Sequence, residues 1–376
     1  MTGAKIGAKT GAKTGALTTY LKPASLLLLL ALAIAFPFLF TNPTYSTIGI
    51  FALAFAAAAT GWNIFAGYTG YIALGHAAFF GIGGYTLAIL CQRWHITGAW
   101  TPFWLMPLAG LVAAIFAIPL GAIALRTRRH TFVVVTIAIF FAVQLMSYNL
   151  RGLTNGSTGL DFPLILEWGA DVYNLPFFYA ALLLTLVALG VSWFVRNSKF
   201  GLGLLAIRDD EDRARGLGVR TGWSKLIAFV ISAFFTGVAG ALLSYYIGNV
   251  QPTFTFDALY DVAIALMVFM GGIGTLAGPI LGALVLESAQ QYMAMQFTQG
   301  NGGVYLIVYG ALFLAVILLL PQGIVPSLRA LWIKFVIRRP EPTDAAPTPQ
   351  IATSGASSAS VAHPATKPAE NTEASA

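Results

Sequence analysis

The stretch SLLLLLALAIAFPFLF, residues 25–40, is long enough and apolar enough to cross a lipid bilayer as a helix. About 20 apolar residues span a hydrocarbon core of roughly 30 Å. The rest of the chain has the same character. Of its 376 residues, 57% are hydrophobic and only 9% are charged, whereas soluble domains carry about 25% charged residues. This composition argues against a soluble enzyme and predicts one polytopic membrane unit.

Ten apolar runs predict an all-α membrane protein with about ten transmembrane helices, some of them short or broken by glycine. The runs lie at about 24–40, 47–66, 70–91, 100–125, 131–149, 175–195, 225–248, 258–273, 276–297 and 303–320. An alternative for the first run is a signal peptide, because small residues at its centre resemble a cleavage site. These small residues are Ala31, Ala33 and Ala35.

Lys and Arg predict the orientation, because cytoplasmic loops of membrane proteins are enriched in these residues. Ten alternating spans place both termini in the cytoplasm and leave only Arg93 and Arg151 on the outer side. Three regions follow: a disordered basic tail over 1–23, a transmembrane domain over 24–339 and a disordered Pro/Ala/Ser/Thr-rich tail over 340–376. The protein is therefore expected in the inner or plasma membrane as a multi-pass chain.

Two glycine-rich segments interrupt the apolar runs, over residues 67–86 and 271–283. Glycine weakens helices by about 1 kcal/mol relative to alanine, but it lets helices approach closely or break beside a polar path. Close helix packing is expected at Gly278 and Gly282, which are four residues apart. The candidate translocation path comprises Gly67, Tyr68, Gly70, Gly75, His76, Gly271, Gly272 and Gly274. Ordinary helix packing is an equally good interpretation of the first segment.

Three titratable residues lie inside or beside apolar runs: His76, Asp261 and Glu287. Such groups are costly within a membrane and usually face the bundle interior or an aqueous cavity. For His76, a neutral side chain hydrogen-bonded to a neighbour is the more ordinary interpretation. Asp261 and Glu287 are expected to be buried polar supports. No residue spacing near His76 indicates a metal site.

The polar stretch SKFGLGLLAIRDDEDRARGLGV, residues 198–219, predicts an amphipathic helix outside the bilayer, over about 200–219. Three pairs of opposite charge at i,i+4 favour this helix, and Gly218 can end it. The pairs are Arg208–Asp212, Asp209–Arg213 and Glu211–Arg215, and the expected apolar side comprises Leu204, Ile207, Ala214 and Leu217. Its predicted function is to dock a cytoplasmic partner; a plain solvated loop would not explain the apolar spacing.

No catalytic motif is present in the sequence. H-E-x-x-H, G-x-S-x-G and Cys/His metal clusters are missing. A phosphate loop needs Gly immediately before Lys, and the N-terminal AKT repeats have Ala there. The chain is therefore expected to be no enzyme and to bind no cofactor or metal.

Four sequence blocks in this order resemble the permease subunits of branched-chain amino acid ABC transporters of the LivM type, over roughly residues 45–325. The blocks are GWNIFAGYTGYIALGHAAFFGIGGYT, GLLAIRDDEDRARGLGV, KLIAFVISAFFTGVAGALLSYY and GGIGTLAGPILGA. The resemblance implies a cytoplasmic coupling motif made of Ala206, Ile207, Arg208, Glu211, Ala214, Leu217 and Gly218. Asp212, Arg213 and Arg215 depart from the family pattern.

The same resemblance implies the partners. These are a second permease, two ATP-binding subunits that hold the ATP, and an external substrate-binding protein, within a lipid bilayer and without nucleic acid. The implied cargo is a branched-chain or similar amino acid, and a related permease for urea or other amides is an alternative. A second class is an ion-coupled secondary transporter that uses Asp261, Glu287 and His76 as a relay. A potassium-type channel is disfavoured, because GYTGY departs from the filter order.

Overall fold

α-Helices form almost all of the regular structure in the computed structural model of this protein. The structure describes residues 28, 30–40, 42–96, 98–163, 168–169, 172–297, 310–311, 314 and 323–327. The predicted tails, 1–23 and 340–376, lie outside the described residues, as does nearly all of the tenth apolar run. Because no residue before Leu28 is described, the signal-peptide alternative for the first run stays open.

The described helices follow the apolar runs closely. The long ones are α2 (Pro43–Trp62), α3 (His76–Arg93), α4 (Thr101–Ala124), α5 (Arg129–Asn149), α7 (Asn174–Asn197), α10 (Thr221–Ile247), α12 (Ala258–Gly271) and α13 (Gly278–Phe297). The shorter ones are α1 (Leu30–Leu39), α6 (Arg151–Thr154), α8 (Lys199–Asp209), α9 (Glu211–Gly216) and α11 (Pro252–Thr255). A π-helical turn, Asn63–Gly67, continues α2, and a 3₁₀ turn covers Gly156–Thr158.

Six helical segments in the described part of the chain are long and apolar enough to cross a membrane. They are Pro43–Gly67, Thr101–Ala124, Arg129–Asn149, Asn174–Asn197, Thr221–Ile247 and Pro252–Gly271. The prediction of about ten spans is therefore supported only for these six. Helix α3 contains several glycines, and α13 contains Glu287 and glutamines, which lowers the hydropathy of both helices. A multi-pass helical membrane protein remains the architecture.

Helix α10 lies at the centre of the bundle and packs closely against α3 and α4. Glycines make this possible. A Cβ added at Gly83 of α3 would overlap the Gly237 carbonyl of α10, and one at Gly240 would overlap the Phe80 carbonyl. These two contacts bring the backbones of α3 and α10 together.

The two ends of the bundle differ in charge. At one end, β1 (Leu160–Asp161) pairs antiparallel with β2 (Asn249–Val250). Hydrogen bonds place the C-terminal ends of α2, α7 and α12 together with α8 and the start of α5 at the other end. All described Lys and Arg residues except Arg93 and Arg151 belong to this second end, which we call the basic end.

Replacing Gly83 by Ala is expected to destabilise the protein by about 1–3 kcal/mol, because the new methyl group overlaps the backbone of α10. Gly190→Ala is the matched control, since nothing lies within 4 Å of a Cβ there and alanine favours the helix by up to about 1 kcal/mol. Thermal unfolding in detergent, followed by tryptophan fluorescence, measures both. Equal midpoints for Gly83→Ala and the unmodified protein would contradict the packing.

Candidate functional site

The polar stretch after α7 folds as two short helices at the basic end, which corrects the prediction of one helix over 200–219. Ser198 caps α8 with its hydroxyl group. Asp210 is extended, and its carboxylate accepts the N–H groups of Asp212 and Arg213, each at 3.0 Å. An aspartate in this N-cap position starts a new helix. The chain therefore breaks at Asp210 and resumes as α9.

Residues 198–218, which we call the coupling segment, bury one side against the bundle. The buried apolar residues are Leu204, Ile207 and Ala214. Leu217, predicted to share this side, is instead 84% exposed. Helix α9 has already ended there, and Gly218 adopts the left-handed conformation (φ +87°) that commonly ends helices. Leu217 therefore projects from a turn and not from the buried side.

The charged residues of the coupling segment follow the predicted pairing only in part. Glu211 and Arg215 form an ion pair with an N–O distance of 3.5 Å, as the i,i+4 spacing predicts. Arg213 binds Asp210, at i,i+3 and 3.0 Å, in place of the predicted Asp209. Arg208 does not pair with the predicted Asp212, because its guanidinium reaches a backbone carbonyl of the bundle.

Glu211 is held by a buried lysine and a tyrosine. Lys225, 4% exposed, lies in the first turns of α10 and places Nζ 2.7 Å from Glu211 Oε1. Tyr71 donates its hydroxyl to the other carboxylate oxygen. Burial disfavours the charged carboxylate, but these hydrogen bonds outweigh it and hold the pKa of Glu211 below its ordinary value of 4.5. The ion pair ties α9 to the start of α10.

Arg129, at the start of α5, binds the last carbonyls of α8. Its Nη2 atom donates to the carbonyls of Ile207 at 2.9 Å and Arg208 at 2.7 Å. The last carbonyls of a helix lack partners within it and carry partial negative charge, which a cation stabilises. Arg129 thus fixes the end of α8 to the α4–α5 turn.

Two glycine-rich turns meet at the basic end: the first over residues 67–75, between α2 and α3, and the second over 271–278, between α12 and α13. Asn63 joins them. Its Oδ1 atom accepts Gly274 N–H at 2.8 Å, and its Nδ2 atom donates to the Thr275 carbonyl at 2.9 Å. The side chain of one buried asparagine therefore satisfies two backbone groups of the second turn.

Two arginines bind the carbonyls of these turns. Arg208 Nη1 donates to the Gly67 carbonyl at 2.9 Å, and Arg196 Nη1 donates to the Gly274 carbonyl at 2.5 Å. Gly67 ends the π-helical turn that continues α2, so its carbonyl is one that a helix leaves unpaired. The first turn is therefore attached to α8 through Arg208, and the second turn is attached to the C-terminal end of α7 through Arg196.

The turns require glycine at specific places. Gly70 (φ +72°), Gly272 (φ +119°) and Gly274 (φ +76°) all have backbone angles that favour glycine. A Cβ at Gly274 would also lie 3.1 Å from the Gly67 carbonyl oxygen and overlap Arg208 Nη1. The close approach of the two turns depends on this missing side chain.

The remaining residues of the predicted path are buried and bonded within the bundle. Tyr68 OH lies 2.8 Å from Ser192 Oγ. His76 Nε2 lies 2.7 Å from Ser232 Oγ, and His76 is fully buried. A Cβ at Gly75 would come within 2.5 Å of the Thr136 carbonyl oxygen. None of these contacts tests the predicted path, which stays a prediction.

Asp261 of α12 caps the start of α3. Its Oδ1 atom accepts Ala77 N–H at 2.9 Å, and Asp261 is 4% exposed. Helix N-termini attract negative charge, so this carboxylate occupies the place that an external anion would take. The geometry agrees with the expected role of Asp261 as a buried polar support. The described residues contain no group of three His, Cys, Asp or Glu side chains that could hold a metal.

Gly278 and Gly282 lie where α13 meets α12. A Cβ at Gly278 would come 2.7 Å from the Gly272 carbonyl oxygen, and one at Gly282 would overlap the Met267 carbonyl. Close contact of the two helices therefore needs both glycines. Glu287, farther along α13, is buried and accepts a hydrogen bond from Gln291 at 2.9 Å.

Residues 44–317 match the family model described as "Branched-chain amino acid transport system / permease component". The chain belongs to this permease family. It is 30% identical to the LivM permease protein of Escherichia coli K12, over 81% of this chain and 75% of that protein. It is 26% identical to the LivH permease protein of Salmonella typhimurium, over 72% of this chain and 90% of that protein. No solved structure matches the chain.

Several residues of this permease's basic end were not singled out from the sequence: Asn63, Tyr71, Arg129, Arg196 and Lys225. Lys225 had a detectable signal, because a lysine at the start of a long apolar run needs a partner. Arg196 and Arg129 were counted only as cytoplasmic charges. Asn63 had no signal, since its partner residues lie more than 200 positions away in the sequence.

Replacing Lys225 by Met is expected to loosen α9, because Glu211 loses its buried cation at a cost of about 1–3 kcal/mol. A spin label at Gly216→Cys, in a Cys91→Ala background, reports the mobility of α9; a Cβ at Gly216 meets nothing within 4 Å. Mobility should rise in Lys225→Met and stay unchanged in the control Lys199→Met, whose side chain is exposed. Equal spectra for both variants would disprove the anchor.

The same label tests a pH dependence. Because the folded protein lowers the pKa of Glu211, its carboxylate stabilises the α9 anchor above pH 4.5. That contribution is lost as the pH falls below 4.5 and the carboxylate becomes protonated. The label should therefore gain mobility below pH 4.5 in the unmodified chain and show a smaller change in Glu211→Gln. An identical pH response of the two would exclude Glu211 as the titrating group.

Proposed function

We propose that this permease is the membrane subunit of an ATP-driven importer and that its coupling segment is the docking site for a separate ATPase. The observation that carries the proposal is the construction of this segment. Two short helices lie apart from the long apolar helices, are anchored to the bundle by Glu211 and Arg208, and leave Leu217 exposed in the turn that follows. A plain loop would not need a buried ion pair or an arginine side chain hydrogen-bonded to a backbone carbonyl of the bundle.

The basic end is the cytoplasmic end in this proposal. Lysine and arginine are concentrated in the cytoplasmic loops of membrane proteins, and only Arg93 and Arg151 of the described basic residues lie at the other end. Both chain termini and the coupling segment then face the cytoplasm. The ATP would be held by the partner subunits and not by this chain.

The substrate class comes from the relatives, whose names specify branched-chain amino acid transport. We infer a branched-chain or similar amino acid as the cargo, delivered by an external binding protein and carried along a path formed with a second permease. The two glycine turns would close the inner end of that path, because they are tightly packed in this conformation. The charged groups of the cargo would be bound elsewhere than the start of α3, which Asp261 occupies.

An ion-coupled transporter is the second candidate, and it would need a relay through His76, Asp261 and Glu287. Each of these residues has a separate partner: Ser232, the Ala77 N–H group and Gln291. No side-chain-to-side-chain hydrogen bond connects the three within the described part of the chain, although the backbone of His76 also hydrogen-bonds the Asp261 side chain. Membership of the permease family also favours the ATP-driven function.

The function is tested by reconstituting the chain with its second permease, ATPase and binding protein in liposomes. Uptake of radiolabelled leucine, isoleucine and valine should require ATP on the side of the membrane where the ATPase subunits lie. Urea serves as the comparison cargo. Uptake that follows an ion gradient without ATP would overturn the proposal. Urea uptake in place of amino acid uptake would keep the mechanism and change the cargo.

Leu217→Asp is expected to reduce copurification of the ATPase subunits at least tenfold, because the charge replaces an 84% exposed apolar side chain at the docking surface. The matched control is Phe254→Asp, which changes an exposed apolar residue beyond β2, at the end opposite to the basic end. Subunit ratios after affinity purification give the result. Undiminished ATPase binding by Leu217→Asp would place the docking surface elsewhere.

A further inference from the structure

Arg208 occupies a position that docking alone does not explain. It belongs to the coupling segment, yet its guanidinium reaches the first glycine turn of the bundle, where it donates to the Gly67 carbonyl at 2.9 Å. Its own backbone carbonyl is bound by Arg129 at 2.7 Å. The residue is thus bonded on its backbone side to α5 and on its side-chain side to the end of α2.

The same guanidinium also contacts the second glycine turn. A Cβ added at Gly274 would overlap Arg208 Nη1, and one added at Gly70 would lie 3.2 Å from Arg208 Cγ. Glycines on both turns therefore leave room for this one side chain. Asn63 and Arg196 complete the arrangement, because each hydrogen-bonds the backbone of Gly274 in the second turn.

We propose that Arg208 is the positioning residue through which movement of the coupling segment reaches both glycine turns. The inference rests on the proposed function. It assigns Arg208 to the transmission of movement and the exposed Leu217 to the docking of the ATPase. A shift of α8 would pull the Gly67 carbonyl directly, because the Arg208 side chain binds this carbonyl without an intermediary and the Arg208 backbone is held by Arg129. Gly70 and Gly274, with positive φ, allow the turns to change direction.

A purely structural role makes a different prediction. If Arg208 only satisfied the Gly67 carbonyl, its loss would reduce stability and uptake together, with no change in the number of cargo molecules moved per ATP hydrolysed. If it only docked the ATPase, its loss would reduce assembly. A transmission role instead leaves assembly and hydrolysis in place and lowers transport per ATP. Conformational coupling requires that the two ends of the link have differential contacts in two states.

The experiment compares Arg208→Gln, Arg208→Lys and the control Arg126→Gln in the complete reconstituted transporter. Arg126 is an exposed arginine at the same basic end. Arg208→Gln should copurify the ATPase subunits in the normal ratio and retain ATP hydrolysis, but uptake per ATP should fall at least tenfold. Arg208→Lys keeps one cationic donor for the Gly67 carbonyl but loses the planar fork, so an intermediate loss of about threefold is expected. Arg126→Gln should match the unmodified complex.

A second measurement follows the glycine turn itself. Ala277→Cys, in a Cys91→Ala background, places a thiol at an exposed position of the second turn. Its modification rate by a water-soluble maleimide should differ between the nucleotide-free and vanadate-trapped complexes. This difference should vanish in Arg208→Gln and persist in Arg126→Gln. A stabilising role alone would not remove it.

Three results would overturn the proposal: unchanged transport per ATP in Arg208→Gln, loss of ATPase binding by that variant, or a nucleotide-dependent thiol response that survives it. If Arg208→Gln does not purify as a monodisperse protein, Arg208→Lys carries the test, and full coupling in that variant overturns the proposal. Failure of the unmodified chain to bind an ATPase or to show ATP-dependent uptake would instead disprove the proposed function, so the two failures are distinguishable.

Discussion

The structure depends on how backbone groups at broken helix ends are satisfied inside a protein that offers them little water. A membrane protein must pair such groups internally, since an unpaired carbonyl or N–H in an apolar environment costs several kcal/mol. Here charged side chains supply the partners. Arg208 and Arg196 bind carbonyls of the two glycine turns, and Asp261 binds the start of α3. Each of these broken helix ends is therefore matched by a charged side chain that binds its backbone groups.

This arrangement connects the fold with the proposed mechanism. The charges that satisfy the Gly67 and Gly274 carbonyls come from the end of α7 and from α8, and α8 belongs to the segment we propose as the ATPase dock. Glu211 adds a buried ion pair to Lys225 that fixes α9 to α10, the central helix of the bundle. If the coupling segment moves, either the glycine turns move with it or the hydrogen bonds to charged groups break. Each of these bonds is worth about 1.5–3 kcal/mol.

The predicted coupling helix shows what local sequence rules for helix formation and side-chain pairing can and cannot predict. Spacing of charges at i,i+4 favours one continuous helix, and it gave the Glu211–Arg215 pair correctly. It did not anticipate that Asp210 would cap a second helix, or that Arg208 would prefer a carbonyl of the bundle over Asp212. The capping preference of aspartate is a local signal that was available. The choice made by Arg208 was not, because its partner is 141 residues away.

The sequence alone determined the class of the protein, the approximate helix positions, the glycine breaks and the polar segment, since hydropathy and glycine content are local properties that bilayer thickness and backbone sterics translate directly into structure. Only the tertiary structure decided which charge meets which break. Asn63 binds a turn that lies more than 200 residues away in the sequence, Lys225 pairs with Glu211, and Leu217 is left exposed. Pairings of this kind depend on which helix ends meet in space, and no periodicity along the chain encodes that.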